Sequence, residues 1–297
     1  MIDIQQIANQ IEGAFGIHVD VRLPELRQDF ADWQVVSAIL QAIVVGQDQQ
    51  APIRVIGISG SQGSGKSSLA QSLVNVVNDT DCHRTAATCS LDDFYLTKLQ
   101  RVALADDIHP LLATRGVPGT HDWRWLNQIV QEARRGPFSL EVPVFDKGMD
   151  DRQGILELQA DLLILEGWCL GVQAQPESML AEPVNQLERD LDSTQTWRRW
   201  VNQMIAAHYH DIWQHVDFWV HLRVPSVAQV VQWRTEQERQ LPPDRQMTPA
   251  QLVDFVAHYE RLTRWQWTSP ALGPGMIISI DEKHQIVDIQ VKNERWM

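Results

Sequence analysis

The chain has 297 residues, of which 44% are hydrophobic and 21% are charged, a composition typical of a globular protein. Its formal net charge of −13 argues against a nucleic-acid partner or an anionic membrane surface, because like charges repel. The three cysteines have neither the spacing of a metal site nor the even number of a disulfide framework. We therefore expect a reducing, cytoplasmic location. We expect neither a signal peptide nor a membrane span, since no apolar run approaches about 18 residues.

Two amphipathic helices are predicted at the start of the chain. Apolar residues recur at helical spacing from Ile4 to Ile11 and again within Phe30 to Val45, and a polar linker, residues 46–52, follows. We therefore predict an N-terminal helical extension, residues 1–50, and one larger domain, residues 51–297. The extension carries no recognisable chemistry, and we expect it to cap the larger domain.

An octet between a predicted strand and a predicted helix fits the phosphate-binding consensus G-x-x-x-x-G-K-[ST]. The octet is Gly60-Ser61-Gln62-Gly63-Ser64-Gly65-Lys66-Ser67, and Ser68 follows it in the helix. Glycines let the backbone curl around an anion, and the helix N-terminus adds a favourable dipole. The octet predicts a nucleotide site in which Lys66 reaches the β- and γ-phosphates of ATP and Ser67 ligates Mg²⁺.

Two later strands are predicted to end in acidic residues. Residues 85–91 run into Asp92 and Asp93, and the apolar run 160–165 ends in Glu166. The carboxyl ends of parallel strands meet at one edge of a sheet, so we expect these acids beside the phosphate loop. One aspartate is predicted to accept a proton from a substrate hydroxyl or to hold Mg²⁺-bound water, and Glu166 to hold the Mg²⁺ water shell. A solvated acid pair is the alternative for the aspartates.

Two segments offer candidate contacts for an anionic substrate. Within residues 115–122, Arg115 and His121 carry donors suited to a carboxylate or a phosphate. Residues 140–145 predict a strand, and Lys147 after it is a weaker candidate because a lysine at such a place is usually just solvated.

The second half of the chain alternates predicted helices and strands. Helices are predicted over residues 123–135, 196–215 and 248–267, and strands over 217–224 and 276–280. Residues 97–122 show little periodicity, and residues 171–192 are polar and typical of a loop. A further helix carries Arg234 and Arg239, and residues from about 225 to 247 are predicted to form a lid over ATP. For Arg239 a charged helix face is an equal alternative. His208 and His210 lie two residues apart on a helix and face different directions, so no metal site is predicted there.

The order of these motifs resembles the D-glycerate 3-kinase family of plant and fungal type, which groups with phosphoribulokinase, uridine kinase and bacterial pantothenate kinase among P-loop kinases. The resemblance rests on GISGSQGSGKSS, SLDDFYLT, HPLLATRGVPGTHD, VPVFDKG, LLILEGWCLG, WRTEQE and MTPAQLVDFVAHYERLTR. These segments lie between residues 53 and 270 in the order of the family. The resemblance implies an α/β fold, a P-loop three-layer sandwich with a parallel sheet flanked by helices and a helical lid.

The resemblance also implies roles for individual residues. By motif position, Asp92 corresponds to the catalytic base, Asp93 to its neighbour and Glu166 to the Mg²⁺-associated acid. The acceptor-site residues are Tyr95, Arg115, His121 and Lys147, and Arg234 lies in the lid segment.

We therefore predict an ATP-dependent kinase that transfers the γ-phosphoryl group to a hydroxyl of a small, anionic metabolite, with ATP and Mg²⁺ as cofactors. D-glycerate is the first candidate acceptor, because Arg115, His121 and Lys147 could clamp its carboxylate. Uridine and pantothenate are alternative acceptors, and a nucleotide-switched regulatory or assembly ATPase is an alternative of another class. The DDFY and RGVPGTHD segments favour a kinase, because a pure switch needs no acceptor pocket. The oligomeric state and the choice between ATP and GTP stay open.

Overall fold

The computed structural model describes residues 4–17, 33–46, 52–79, 83–239, 242, 246–269 and 273–292. Most of the predicted linker before residue 52 and a part of the predicted lid lie outside the described residues. No helix within the described ranges is long and apolar enough to cross a membrane.

A six-stranded sheet with the order β2-β5-β1-β6-β7-β8 forms the centre of the fold. Its strands are β1 (Val55–Gly60), β2 (Ala86–Ser90), β5 (Leu162–Gly167), β6 (Phe218–Arg223), β7 (Gly275–Ile280) and β8 (Ile286–Lys292). The first five strands pair in parallel, and β8 runs antiparallel to β7. All residues of β1 and β5 are buried, as expected for parallel strands covered on both faces. The predicted parallel sheet flanked by helices is confirmed.

Ten α-helices lie within the described ranges. They are α1 (Ile4–Phe15), α2 (Trp33–Gly46), α3 (Lys66–Asn78), α4 (Lys98–Asp107), α5 (Trp123–Arg135), α6 (Gln186–Leu191), α7 (Thr196–Met204), α8 (His210–Trp213), α9 (Val227–Glu238) and α10 (Pro249–Thr268). A π-helical turn, Ile205–Tyr209, divides the helix predicted over residues 196–215 into α7 and α8. The helices α4 and α6 fall in segments for which the sequence predicts no periodic element.

Two apolar cores form around the sheet. One contains Ile56 and Ile58 of β1 together with apolar side chains of α1, α2 and α3. The other contains Val55 and side chains of α5, α7, α8 and α10. The N-terminal helices therefore share a core with the helix that follows the phosphate loop, and Ser37 Oγ of α2 donates a hydrogen bond to Ser72 Oγ of α3 at 2.9 Å. The domain boundary at residue 50 stays a prediction.

A separate antiparallel hairpin joins β3 (Phe138–Asp146) to β4 (Asp151–Ala160), and β4 leads directly into β5. The sequence predicts β3 but not β4, because most of β4 is exposed and shows no alternation of buried and exposed residues. The sequence predicts no strand after residues 276–280, but the structure has β8 there. In β8 a register shift opposite Ser279 and Ile280 interrupts the regular pattern of period two.

Candidate active site

The phosphate loop leaves the carboxyl end of β1 and turns into α3. Gly63 and Gly65 have φ angles of 78° and 90°, which glycine adopts without the steric cost that a side chain brings. Gly65 occupies the N-cap position of α3 and supplies no side-chain cap, so the first N–H groups of the helix can bind an anion. Lys66 and Ser67 are the first two residues of this helix.

Polar atoms around the loop are buried without hydrogen-bond partners among the described residues. They are the hydroxyl oxygens of Ser61 and Ser64, Gln62 Oε1 and Glu166 Oε2. Buried polar atoms normally have partners. The phosphate oxygens of a bound triphosphate could accept from the two serine hydroxyls, and its metal ion could meet Glu166 Oε2. Hydroxyl and carboxylate oxygens are also ligands that Mg²⁺ prefers. The residues present therefore fit a Mg²⁺-nucleotide.

The register of the sheet explains how Glu166 comes to lie beside the loop. Glu166 on β5 pairs with Ile58 of β1 on one side and with Ser90 of β2 on the other. Its Oε2 lies 3.8 Å from Lys66 Nζ. The strand that carries Glu166 thus stands between the phosphate loop and Asp92, which follows β2.

The carboxylate of Asp92 contacts both a cation and a hydroxyl group. Lys147 Nζ lies 2.6 Å from its Oδ2, and the Tyr95 hydroxyl donates a hydrogen bond to its Oδ1 at 2.9 Å. Burial raises the pKa of Asp92, but the ammonium groups of Lys147 and Lys66 and the two hydrogen bonds outweigh it, so that the pKa lies below its usual value. Asp92 is therefore ionised at neutral pH and able to accept a proton.

Asp93 is engaged with the backbone of the fold. Its carboxylate accepts hydrogen bonds from the N–H groups of Ser90 at 3.3 Å and Phe145 at 3.4 Å. The first of these belongs to a capping box on the 3₁₀ turn Leu91–Phe94. Burial raises the pKa of Asp93 despite these hydrogen bonds. The two aspartates thus have different environments, and Asp93 ties β2 to β3.

Arg115 forms an ion pair with Asp150, and its Nη2 donates to the carbonyl of Lys147 at 3.3 Å. Asp150 also pairs with the fully buried Arg101 at 2.7 Å. The guanidinium of Arg115 lies over the ring of Phe145, 5.5 Å from its centre. Arg115 is therefore held in place before any substrate arrives, and a substrate carboxylate would share it with Asp150.

His121 is buried between two tyrosines. Its ring stacks on Tyr95 with 4.6 Å between the ring centres, and its Nδ1 lies 3.1 Å from the hydroxyl of Tyr209. Burial lowers the pKa of His121 to about 3, although Asp92 opposes this shift. The Nε2 atom has no partner within the described chain. His121 is therefore a neutral hydrogen-bonding group and not a cation.

Similar proteins identify the kinase group to which this site belongs. No family model matches the chain. A protein of Schizosaccharomyces pombe described as the uncharacterized kinase mug58 is 33% identical over 223 residues, which are 69% of this chain and 78% of that protein. This chain belongs to the family of P-loop kinases that includes D-glycerate 3-kinase.

Two further relatives of this kinase carry the family name. The chloroplastic D-glycerate 3-kinase of Arabidopsis thaliana is 30% identical over 226 residues, 70% of this chain but 46% of that longer protein. The solved D-glycerate 3-kinase of Cryptococcus neoformans matches with a TM-score of 0.69 and 25% identity, and the match covers 88% of this chain and 97% of that one. The kinase is thus an ATP-dependent phosphotransferase with a hydroxyl acceptor.

The structure of this kinase brings most of the predicted site residues together. Lys66 and Glu166 lie at the phosphate loop, and Lys147 and Tyr95 contact Asp92. His121 stacks on Tyr95, and Arg115 donates to the carbonyl of Lys147. Arg234 lies on α9, where it pairs with Glu238 at 2.7 Å and its guanidinium stands over Phe255.

Sequence reasoning missed the partners of these side chains. Asp150, Arg101 and Tyr209 carry no motif of their own, and their roles appear only when distant segments are packed together. The π-helical turn that carries Tyr209 also gives no sequence signal, although such turns often occur at functional sites.

Proposed function

We propose that this kinase transfers the γ-phosphoryl group of ATP to a hydroxyl of D-glycerate and forms 3-phosphoglycerate. The observation that carries the proposal is the ionised Asp92, which pairs with Lys147 and whose pKa the charge of Lys66 also lowers. The bond between the γ-phosphorus and the ADP oxygen breaks as a bond to the acceptor oxygen forms. The proton of the acceptor hydroxyl passes to Asp92.

The phosphate loop supplies the electrostatic part of the mechanism. We assign the octet 60–67 and Ser68 to the phosphates, with Lys66 and the N-terminus of α3 stabilising the charge of the transferred group. Ser67 and Glu166 would hold Mg²⁺, which neutralises phosphate charge when it is bound. Arg234 would reach the nucleotide from α9 after breaking its pair with Glu238.

The acceptor side suits a small anion with more than one hydrogen-bonding group. Arg115 and Lys147 are cationic and can meet a carboxylate, and His121 can contact a hydroxyl as a neutral group. Tyr95 holds the Asp92 carboxylate in position through its hydroxyl. D-glycerate, with one carboxylate and two hydroxyls, fits this combination, and the named relatives support it.

Free thiols at Cys89 and Cys169 agree with a reducing, cytoplasmic setting, which we include in the proposal.

The test is ADP release from ATP and Mg²⁺ in the presence of D-glycerate, L-glycerate, glycerol, uridine or pantothenate. The proposal expects strong stimulation by D-glycerate alone, with 3-phosphoglycerate as the product. Stimulation by uridine or pantothenate would overturn the acceptor and keep the kinase. Steady hydrolysis that ignores every acceptor would favour a nucleotide-switched ATPase.

A further inference from the structure

Three elements of the fold meet at Gly63 in the phosphate loop. His284, in the turn between β7 and β8, places its Nε2 2.8 Å from the Gly63 carbonyl oxygen. Trp233 of α9 packs so closely that a Cβ on Gly63 would lie 2.8 Å from its own Cβ. The rings of Trp233 and His284 stack with 4.0 Å between their centres. The helix α9, the β7–β8 turn and the phosphate loop are therefore in direct contact.

The direction of the His284 hydrogen bond follows from the chemistry of its partner. A backbone carbonyl can only accept, so the Nε2 of His284 must carry the proton and donate it. Both the neutral tautomer with the proton on Nε2 and the doubly protonated ring satisfy this requirement. The contact is thus available whatever the charge of the ring.

The Gly63 carbonyl belongs to a peptide group that shapes the loop. In a trans peptide the C=O and the following N–H point in opposite directions. The following N–H is that of Ser64, which donates to the Ser61 carbonyl at 3.2 Å and closes a turn inside the octet. A donor that fixes the Gly63 carbonyl therefore also fixes this turn, which precedes Gly65 and the N-terminus of α3.

The turn around His284 is built to present this side chain. The Asp281 carboxylate accepts from the N–H groups of Lys283 and Gln285, both at 2.8 Å. His284 itself has a φ of 61°, a left-handed conformation that is uncommon for residues other than glycine. Trp233 Nε1 donates to the Glu282 carbonyl at 3.3 Å and ties the turn to α9. In this conformation the imidazole ring contacts both Gly63 and Trp233.

We propose that His284 is a positioning residue for the nucleotide, which holds the phosphate loop in its binding shape through the Gly63 carbonyl while Trp233 holds the imidazole in place. The inference rests on the nucleotide role proposed for residues 60–67 and does not depend on the acceptor. It makes the β7–β8 turn, which carries none of the recognised motifs, part of the nucleotide site.

Equilibrium binding to the full-length kinase tests this inference with two ligands, ATP and inorganic tripolyphosphate, both with Mg²⁺. His284→Phe keeps an aromatic ring against Trp233 and removes the donor, whereas His284→Gln keeps an N–H donor at a similar distance. His83→Phe is the matched control, because His83 is also exposed and also has a left-handed φ, of 54°. Steady-state kinetics of each variant separate KM for ATP from kcat.

The proposal expects His284→Phe to weaken ATP and tripolyphosphate alike by about two- to tenfold, the range of one hydrogen bond. The KM for ATP rises by the same factor while kcat at saturating ATP is kept, His284→Gln restores binding, and His83→Phe changes nothing. A loss for ATP but not for tripolyphosphate would overturn the proposal, because His284 would then contact the nucleoside. Unchanged binding of both ligands by His284→Phe, or no rescue by His284→Gln, would also overturn it. Failure of the unaltered kinase to bind either ligand would instead refute the proposed nucleotide site.

Discussion

The ammonium nitrogen of Lys147 lies 2.6 Å from Oδ2 of Asp92, so the turn between β3 and β4 supplies the counter-charge for a carboxylate that follows β2. Lys147 is 62% exposed, and solvent therefore screens part of the attraction. The Tyr95 hydroxyl on the other carboxylate oxygen adds a shielded contact. Together, the contacts of Lys147 and Tyr95 keep the proposed base Asp92 ionised in a partly buried place. Through Lys147, the β3–β4 hairpin thus takes part in the proposed active site.

Replacement of Lys147 tests this electrostatic relationship. Lys147→Met removes the largest influence that lowers the pKa of Asp92 and leaves the burial that raises it. A protonated Asp92 cannot accept the hydroxyl proton, so the acidic limb of the profile of kcat against pH should move to higher pH. Lys147→Arg keeps the charge and should keep the limb near its original place. An acidic limb that does not move in Lys147→Met would contradict the role of this pair.

Arg115 offers a test of the acceptor charge. Its guanidinium contacts Asp150 and the Lys147 carbonyl, which orients it for a planar carboxylate. Arg115→Lys keeps the charge but loses the fork, so KM for D-glycerate should rise about tenfold or more while KM for ATP stays constant. The control is the KM for ATP measured with the same variant, because no contact of Arg115 within the described ranges involves the phosphate loop. An unchanged KM for D-glycerate, or an equal rise of both KM values, would contradict the role of Arg115 in binding the carboxylate.

A buried ion pair predicts a large effect on stability away from the site. Arg261 on α10 donates from Nε and Nη2 to the two carboxylate oxygens of Glu188, both at 2.6 Å, and both residues are buried. Glu188→Gln leaves the guanidinium charge uncompensated and should cost about 3–5 kcal/mol of the free energy of unfolding in urea. Glu177→Gln breaks the exposed pair with Arg199 and should cost less than about 1 kcal/mol. Equal costs would show that burial of the pair is not decisive.

The N-terminal helices are predicted to be necessary for folding. Ile39 and Leu40 of α2 are almost completely buried in the core that contains α3, and Trp33 packs against Gly65 of the phosphate loop. A chain that begins at residue 51 would expose this apolar surface, so we expect it to aggregate at room temperature or to lose the near-UV circular dichroism signal of packed aromatic side chains. A truncated chain that folds and keeps full kinase activity would instead support an independent domain from residue 51.

The elements that the sequence predicts well are those whose signal is local. The octet 60–67 is recognisable because the glycine and lysine spacing itself encodes the turn. The strands β5 and β6 are nearly continuous apolar runs, as buried parallel strands must be. The helix predicted over residues 248–267 corresponds to α10, and its N-cap residue Thr248 forms a capping box with Gln251.

The features that the sequence could not predict depend on distant contacts or on exposed elements. The helix α4 buries only Arg101, so it has no apolar stripe for periodicity to detect. Arg115 is recognisable as a cation, but its pairing with Asp150 joins residues 35 positions apart. The environments that distinguish Asp92 from Asp93 likewise come from Lys147 and Phe145 on another strand and its turn. The sequence therefore identifies the candidate site residues, whereas their ion-pair partners and protonation states follow only from the packing of distant segments.

Single-turnover phosphoryl transfer by Asp92→Asn tests the central claim most directly. The asparagine has nearly the same shape but cannot take up the hydroxyl proton, so transfer to D-glycerate should slow by about 10²–10⁴-fold. The affinity for ATP with Mg²⁺ should change little, since the phosphate loop is untouched. Transfer at the original rate, with ATP binding intact, would contradict the assignment of Asp92 as the base.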